Sequence, residues 1–350
     1  MISPIHQPHN DRVIKSNSIY RCGIPAAILA LQLFLFSTVA VQRAHCQSAA
    51  ESKTTTELEN GVTHLNPVKN KWQVGVQIAT KSSRVKKMLV TIPIPADWPE
   101  QKVTLVNEEL PPTIKDVSYR TLDQNLRQLV VTTGRLPAKE LFEIKVTLAV
   151  TTKQAKGPDD TSVFKIPSRP IPKELKPMLG AGPQISFRNS KLRAKVKELT
   201  ADKANAWEEV KSIFDWIREN VEYADMEATD SLKTFRKKKG GAEDLVGLFI
   251  AMCRAHKVPA RTVWVEGHQH AEFCLVDDDK NLHWFPCQVA GLAEFGSMSE
   301  PRIILQKGDN MRVPEKKERQ KIVVEYVECQ CESPRQPTVN FIRKLLPADE

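Results

Sequence analysis

The sequence predicts an α+β protein, an N-terminal antiparallel β-sandwich followed by helices packed on a second antiparallel sheet. Three observations carry this. Apolar residues alternate without a miss in Trp72-Val74-Val76-Ile78, Val90-Ile92-Ile94 and Phe142-Ile144-Val146-Leu148-Val150, the period of strands buried on one face. Further on the spacing changes to three and four, in Trp207, Val210, Ile213, Phe214, Ile217 and Val221 and again in Leu245, Leu248, Phe249, Met252 and Cys253, which is the stripe of a buried helix. After Pro259 alternation returns. Gln269, Ala271, Phe273 and Leu275 share one face of a strand, and His268, His270, Glu272 and Cys274 share the other.

A chain of 350 residues exceeds one ordinary core, so two or three domains are expected. Apolar content of 41% with 27% charged residues excludes both a polytopic membrane protein and a disordered one. The run Ile24 to Val41, preceded by Arg12, Lys15 and Arg21, reads as a secretory signal, with an uncleaved signal anchor as the alternative. Either puts the body outside the cytoplasm, secreted or periplasmic, and any membrane contact comes only through that possible anchor. The order along the chain is then signal or anchor (1–46), disordered linker (47–69), β-sandwich (70–152), Pro-rich connector (153–189), helix-and-sheet domain (190–332) and tail (333–350). Trp98, beside an alternating strand, reads as sandwich core. Ile322, Val324 and Tyr326 read as a last strand added to the second sheet.

The net charge is +9, and residues 1–46 hold four bases and one acid, which leaves a modest excess on the remainder. Arg236 to Lys239 is a basic run without interleaved aromatics, a solvated loop and not a nucleic-acid surface, so no nucleic-acid partner is expected. Two of the seven cysteines, Cys22 and Cys46, lie in the leader. The five that remain form no disulfide framework. Cys253, Cys274 and Cys287 read as buried packing residues.

The helix and the strands after it carry a set of ordered motifs: Gly240-Gly241-Ala242-Glu243-Asp244, Pro259-Ala260-Arg261, His268-Gln269-His270-Ala271-Glu272 and Trp284-Phe285-Pro286-Cys287-Gln288. Together they resemble the papain-like core of the transglutaminase-like superfamily, over about residues 190–295. Members read G-x-C-x-D, P-A-R, H-x-W-x-E and W-x-P-x-D in these places. The resemblance implies a nucleophile at position 242, a base at His268 and its acid partner at position 288. Here those positions hold Ala242, His268 and Gln288.

The substitutions matter physically. A thiol at a helix N-terminus is activated by the dipole and by unpaired backbone N–H groups, and Ala242 offers nothing to activate. A carboxylate beside the histidine would orient its ring and stabilise the imidazolium, whereas Gln288 can orient but carries no charge. Losing a catalytic nucleophile costs on the order of a million-fold in rate. Cys253 lies about 16 Å along the helix from Ala242 at 1.5 Å per residue. Cys274 lies near 20 Å along the strand from His268 at about 3.3 Å per residue, and Cys287 points away from Gln288.

These residues predict a catalytically silent transglutaminase-like protein, with His268 a remnant base, that binds a peptide or protein ligand in the former active-site cleft. Gly241, Trp264, His270, Glu272 and Trp284 would line it. No cofactor or metal is expected. Two alternatives stand beside this reading: an active cysteine transglutaminase or peptidase working through an acyl-thioester, and a metal-binding protein using His268, His270 and Glu272, two imidazoles and a carboxylate on one strand face.

Overall fold

The computed structural model describes residues 61–114 and 117–347. The signal or anchor segment and most of the linker lie outside the described residues. Among the described residues no helix is long and apolar enough to cross a membrane.

In chain order the strands of the first half are β1 (Thr63–Ala79), β2 (Val85–Ile94), β3 (Gln101–Glu109), β4 (Val117–Thr121), β5 (Arg127–Thr133) and β6 (Leu141–Lys156). Then come α1 (Ser190–Thr200), α2 (Ala206–Asn220), β7 (Glu222–Tyr223), α3 (Ser231–Lys237), β8 (Lys239–Gly240), α4 (Ala242–Ala255), β9 (Ala260–Val265), β10 (His268–Val276), β11 (Leu282–Gln288), β12 (Glu294–Phe295) and β13 (Ile304–Lys307). The chain closes with β14 (Tyr326–Cys331) and β15 (Thr338–Leu346).

Two four-stranded antiparallel sheets, ordered β15-β1-β6-β3 and β14-β2-β5-β4, enclose one core of the alternating residues, from Trp72, Val74 and Val76 through Ile92, Leu129 and Ile144 to Val327. This is the predicted sandwich, with two differences at its ends. Residues 63–69, expected to be linker, are the start of β1, paired to β6 across a bulge between Leu65 and Val68. They are held through the backbone and stay largely exposed, so they show no apolar period. The last strands join the sandwich and not the second sheet: β14 pairs with β2 and β15 with β1. Burial in β15 is confined to Val339, because an outermost strand covers little and its polarity guards its free edge.

The second sheet is antiparallel, β12-β11-β10-β9-β13. One of its faces carries α1, α2 and α4 over a core that includes Val210, Phe214, Phe249, Phe273, Phe285 and Cys287. Trp207 anchors that core, packed edge-on against Phe273, Phe285 and Phe295. The opposite face turns toward the sandwich. There the Gln101 side chain donates to the Ile304 carbonyl at 2.9 Å and accepts from the Ile304 N–H at 2.7 Å, fastening β13 to the start of β3.

Candidate functional site

α4 begins where the sequence places it. Gly241 is the N-cap, and Asp244, three residues on, reaches back to accept the Gly241 N–H at 3.0 Å, the reciprocal half of a capping box. The other oxygen of Asp244 accepts the Thr229 N–H at 2.6 Å, so the cap also pins the preceding loop. Gly240 is required by proximity: a Cβ there would stand 2.5 Å from the Asp244 Cβ, closer than carbon atoms approach. Gly240→Ala is therefore expected to push Asp244 off its cap and cost about 1–3 kcal/mol, the usual range for overpacking, read as a lowered denaturant midpoint.

Ala242, the first residue of α4, opens onto a groove of about 910 Å³ whose walls include Tyr223, Lys238, Leu245, His268 and Gly291. Thus Ala242 and His268 share one groove. Arg218 shapes its floor by donating to the carbonyls of Val289 at 2.8 Å and Gly291 at 3.1 Å. Lys238 lies with its ammonium 3.6 Å from the Trp216 ring centroid. Burial, with Lys195 nearby, lowers its pKa.

His268 and Gln288 also meet. The Gln288 Nε2 lies 2.8 Å from the His268 Nε2, so the amide donates to a neutral ring. Burial, and then the Arg302 charge, lower the His268 pKa, and a donor on the ring's lone pair favours the same neutral form. The ring is held in place but is not made a better base.

The predicted cleft divides in two. His270, Glu272 and Trp284 line a second space of about 290 Å³ between the open face of the sheet and the sandwich, and His268 and Gln288 form part of its wall. Gly241 is buried under the cap and lines neither space. Trp264 does not reach them either. It pairs with Gln269, which puts it on the helix side of the sheet, where its indole N–H donates to the Gly308 carbonyl at 3.1 Å. Side-chain parity, not distance, removes it. Trp98, read from sequence as sandwich core, instead stands in the wall of the second space.

Glu272 is not available as a metal ligand. Its Oε1 accepts from Lys307 Nζ at 2.5 Å and its Oε2 from Arg261 Nε at 2.7 Å. Burial alone would raise its pKa, but these two cations outweigh it and hold the carboxyl at about 2. His256 pairs with Glu209 at 3.0 Å and His283 with Asp277 at 2.8 Å, away from the strand face. The two-histidine-and-carboxylate reading fails because the carboxylate already has two cations.

Among the described residues no cysteine lines the groove or the second space. Cys253 and Cys287 are fully buried in the helix-side core, and burial pushes both thiols well above their ordinary pKa. Burial pushes the Cys274 thiol to about 12. The residue that reasoning from sequence missed is Lys307. It arrives on β13, 35 positions after Glu272, and no local pattern links the two.

Helices on one face of an antiparallel sheet, with α4 aimed at a histidine-bearing strand, define a papain-like core. Residues 193–289 match the family model of the transglutaminase-like superfamily, and the chain therefore carries a transglutaminase-like core. Among solved structures it is similar to one described as a "putative cysteine protease" from Cytophaga hutchinsonii, at 18% identity and a TM-score of 0.52 over 83% of this chain and 94% of that one. Another, described as a "putative protease" from Parabacteroides distasonis, gives 13% identity and a TM-score of 0.25 over 66% of this chain and 48% of that one. No curated protein sequence matches the chain. At 18% identity the likeness to the first concerns the fold alone.

Proposed function

We propose that this protein is a non-catalytic transglutaminase-like protein that works outside the cytoplasm and holds an extended peptide or other polymer in the groove between α4 and His268. The observation that carries it is Ala242 at the mouth of α4, sharing the groove with His268. Acyl transfer by this fold needs a thiolate at that helix start and a charged partner behind the base. Here the helix start has a methyl group and the amide behind the base is uncharged, and the thiols of the domain are buried with raised pKa values. Binding needs neither group. An open groove with an aromatic wall at Tyr223 and a fixed floor at Arg218 suits a chain laid along it.

The test uses the full chain and its Ala242→Cys variant. A cysteine at that helix start is expected to titrate below about 8.5, the value of a free thiol, in pH-dependent alkylation. The parent protein is expected to take no label from an acyl-thioester-forming probe. Stoichiometric labelling of the parent that disappears in His268→Ala would overturn the non-catalytic reading. For binding, reduced and carboxymethylated casein serves as an extended polypeptide, and Ala242→Trp should weaken its capture about tenfold or more. Equal capture by both proteins would remove the groove from the proposal.

A further inference from the structure

The geometry points to a second binding site, the space of about 290 Å³ between the core sheet and the sandwich, built for a compact uncharged organic molecule with a carbonyl or hydroxyl oxygen. It is separate from the groove, and His268 is part of the wall of each. Its volume is close to the lower end of small-molecule pockets, about 300–1,000 Å³. Trp98 and Trp284 contribute aromatic surface, and Val265, Leu282, Met298 and Ile304 make much of the rest apolar.

Charge selects the class of ligand. The lining holds the carboxylates Glu100, Glu272, Glu294 and Glu300 and the cations Lys153, Arg261, Arg302 and Lys307, equal in number. Most are already paired with one another: Lys307 bridges Glu100 and Glu272, Arg261 holds Glu272, and Arg302 holds Glu300. The two left over, Lys153 and Glu294, are half-exposed and solvated, so deeper in the space a charged ligand would have to break one of these pairs or sit unpaired, and both are costly.

Hydrogen-bonding capacity is nevertheless left over. The Trp98 Nε1–H and the His64 Nδ1 are buried without a partner among the described residues. His270 is 7% exposed, and its ring makes no hydrogen bond within the described residues. Burial keeps it neutral, with a pKa near 3. Unsatisfied buried polar groups are rare in folded proteins and costly to leave so. Here two line one space, the Trp98 N–H and the His64 nitrogen, with the neutral His270 ring and aromatic surface beside them. A neutral molecule with an oxygen for Trp98 and a donor or acceptor for the imidazoles would meet them together.

Three probes sharing one ring separate the possibilities: benzamide, benzoate and benzylamine as its cation, titrated into the full chain by ligand-detected NMR with tryptophan fluorescence in parallel. Benzamide is expected to bind saturably at roughly millimolar Kd, as its few heavy atoms allow, and to change the tryptophan fluorescence, since Trp98 and Trp284 line the space. The two charged probes should bind at least tenfold more weakly. Trp98→Phe keeps the ring and removes the donor, and should weaken benzamide about three- to tenfold. Leu282→Trp fills space and should abolish the signal. Benzoate or benzylamine binding as well as benzamide would overturn the proposal. So would benzamide binding that neither variant changes, or no benzamide binding at all, which would leave a space filled by water.

Discussion

Replacing Lys307 by Met is expected to destabilise the protein by about 3–5 kcal/mol, the range for removing one partner of a buried ion pair, measured as the shift in denaturant midpoint at unchanged slope. Lys307 is 2% exposed. Its ammonium lies 2.5 Å from Glu272 on the core sheet and 2.5 Å from Glu100 at the edge of the sandwich, and 4.9 Å from the Trp98 ring centroid. Met keeps most of the volume, so the loss isolates the charge. Glu272 would remain buried with Arg261 alone, and Glu100 would lose its partner across the boundary. Adding Glu272→Gln should return part of the loss, because the stranded charge, not the missing contact, is the main cost. The effect should also depend on pH. A carboxyl held at about 2, against an ordinary 4.5, contributes stability that is present above about 4.5 and lost as pH falls toward 2. Without Lys307 the Glu272 carboxyl titrates higher, so the difference between the two proteins should be largest near neutrality and shrink through that window.

The same network shows where sequence reasoning stops. Strands such as Trp72 to Ile78 and Phe142 to Val150 are legible because one face is buried and the period of two leaves a local record. The start of α4 is legible for a similar reason: Gly240, Gly241 and Asp244 are the chemistry of a cap, and Ala242 follows by counting. The meeting of His268 with Gln288 follows from motif order and strand parity. Partner choice leaves no such record. Ile322, Val324 and Tyr326 read as a strand, yet only Tyr326 falls in β14, and nothing in those residues says that β14 pairs with β2 and not with the core sheet. Thr338 to Leu346 buries so little that it looks like tail. Trp264 alternates with its neighbours and can be assigned to a face only once β9 is registered against β10, where a slip of one residue reverses every side chain. Glu272 looks like a free carboxylate in the sequence because its cations lie eleven residues before it and thirty-five after it. Ala242 at the start of α4 is legible in the sequence, whereas the closed-pair electrostatics of the second space are not.

Arg254→Met should be as damaging, about 3–5 kcal/mol for a broken buried pair, and it acts on the helix that presents Ala242. Arg254 lies in the last turn of α4, where a cation complements the helix dipole, and it is 3% exposed. All three of its guanidinium nitrogens are used: Nη2 donates to both Asp309 oxygens at 2.9 and 2.8 Å, Nε and Nη2 to the Ala260 carbonyl at 3.2 and 2.7 Å, and Nη1 to the Gly180 carbonyl at 2.9 Å. Met would leave Asp309, 1% exposed, as an uncompensated buried charge beside two carbonyls without their donor. Arg254→Lys should recover little, since a single ammonium cannot reproduce a planar fork that reaches three groups. Arg254→Met with Asp309→Leu should recover more, because it removes the stranded charge. The consequence for function is a contrast between the two ends of α4. A change at the Arg254 end should lower thermal stability and weaken groove binding together, as the helix loses its anchor to β9 and to the turn after β13. Ala242→Cys at the other end should change groove chemistry with the unfolding midpoint unmoved. If Arg254→Met kept full stability, α4 would be held by its apolar stripe alone and the buried pair would be dispensable.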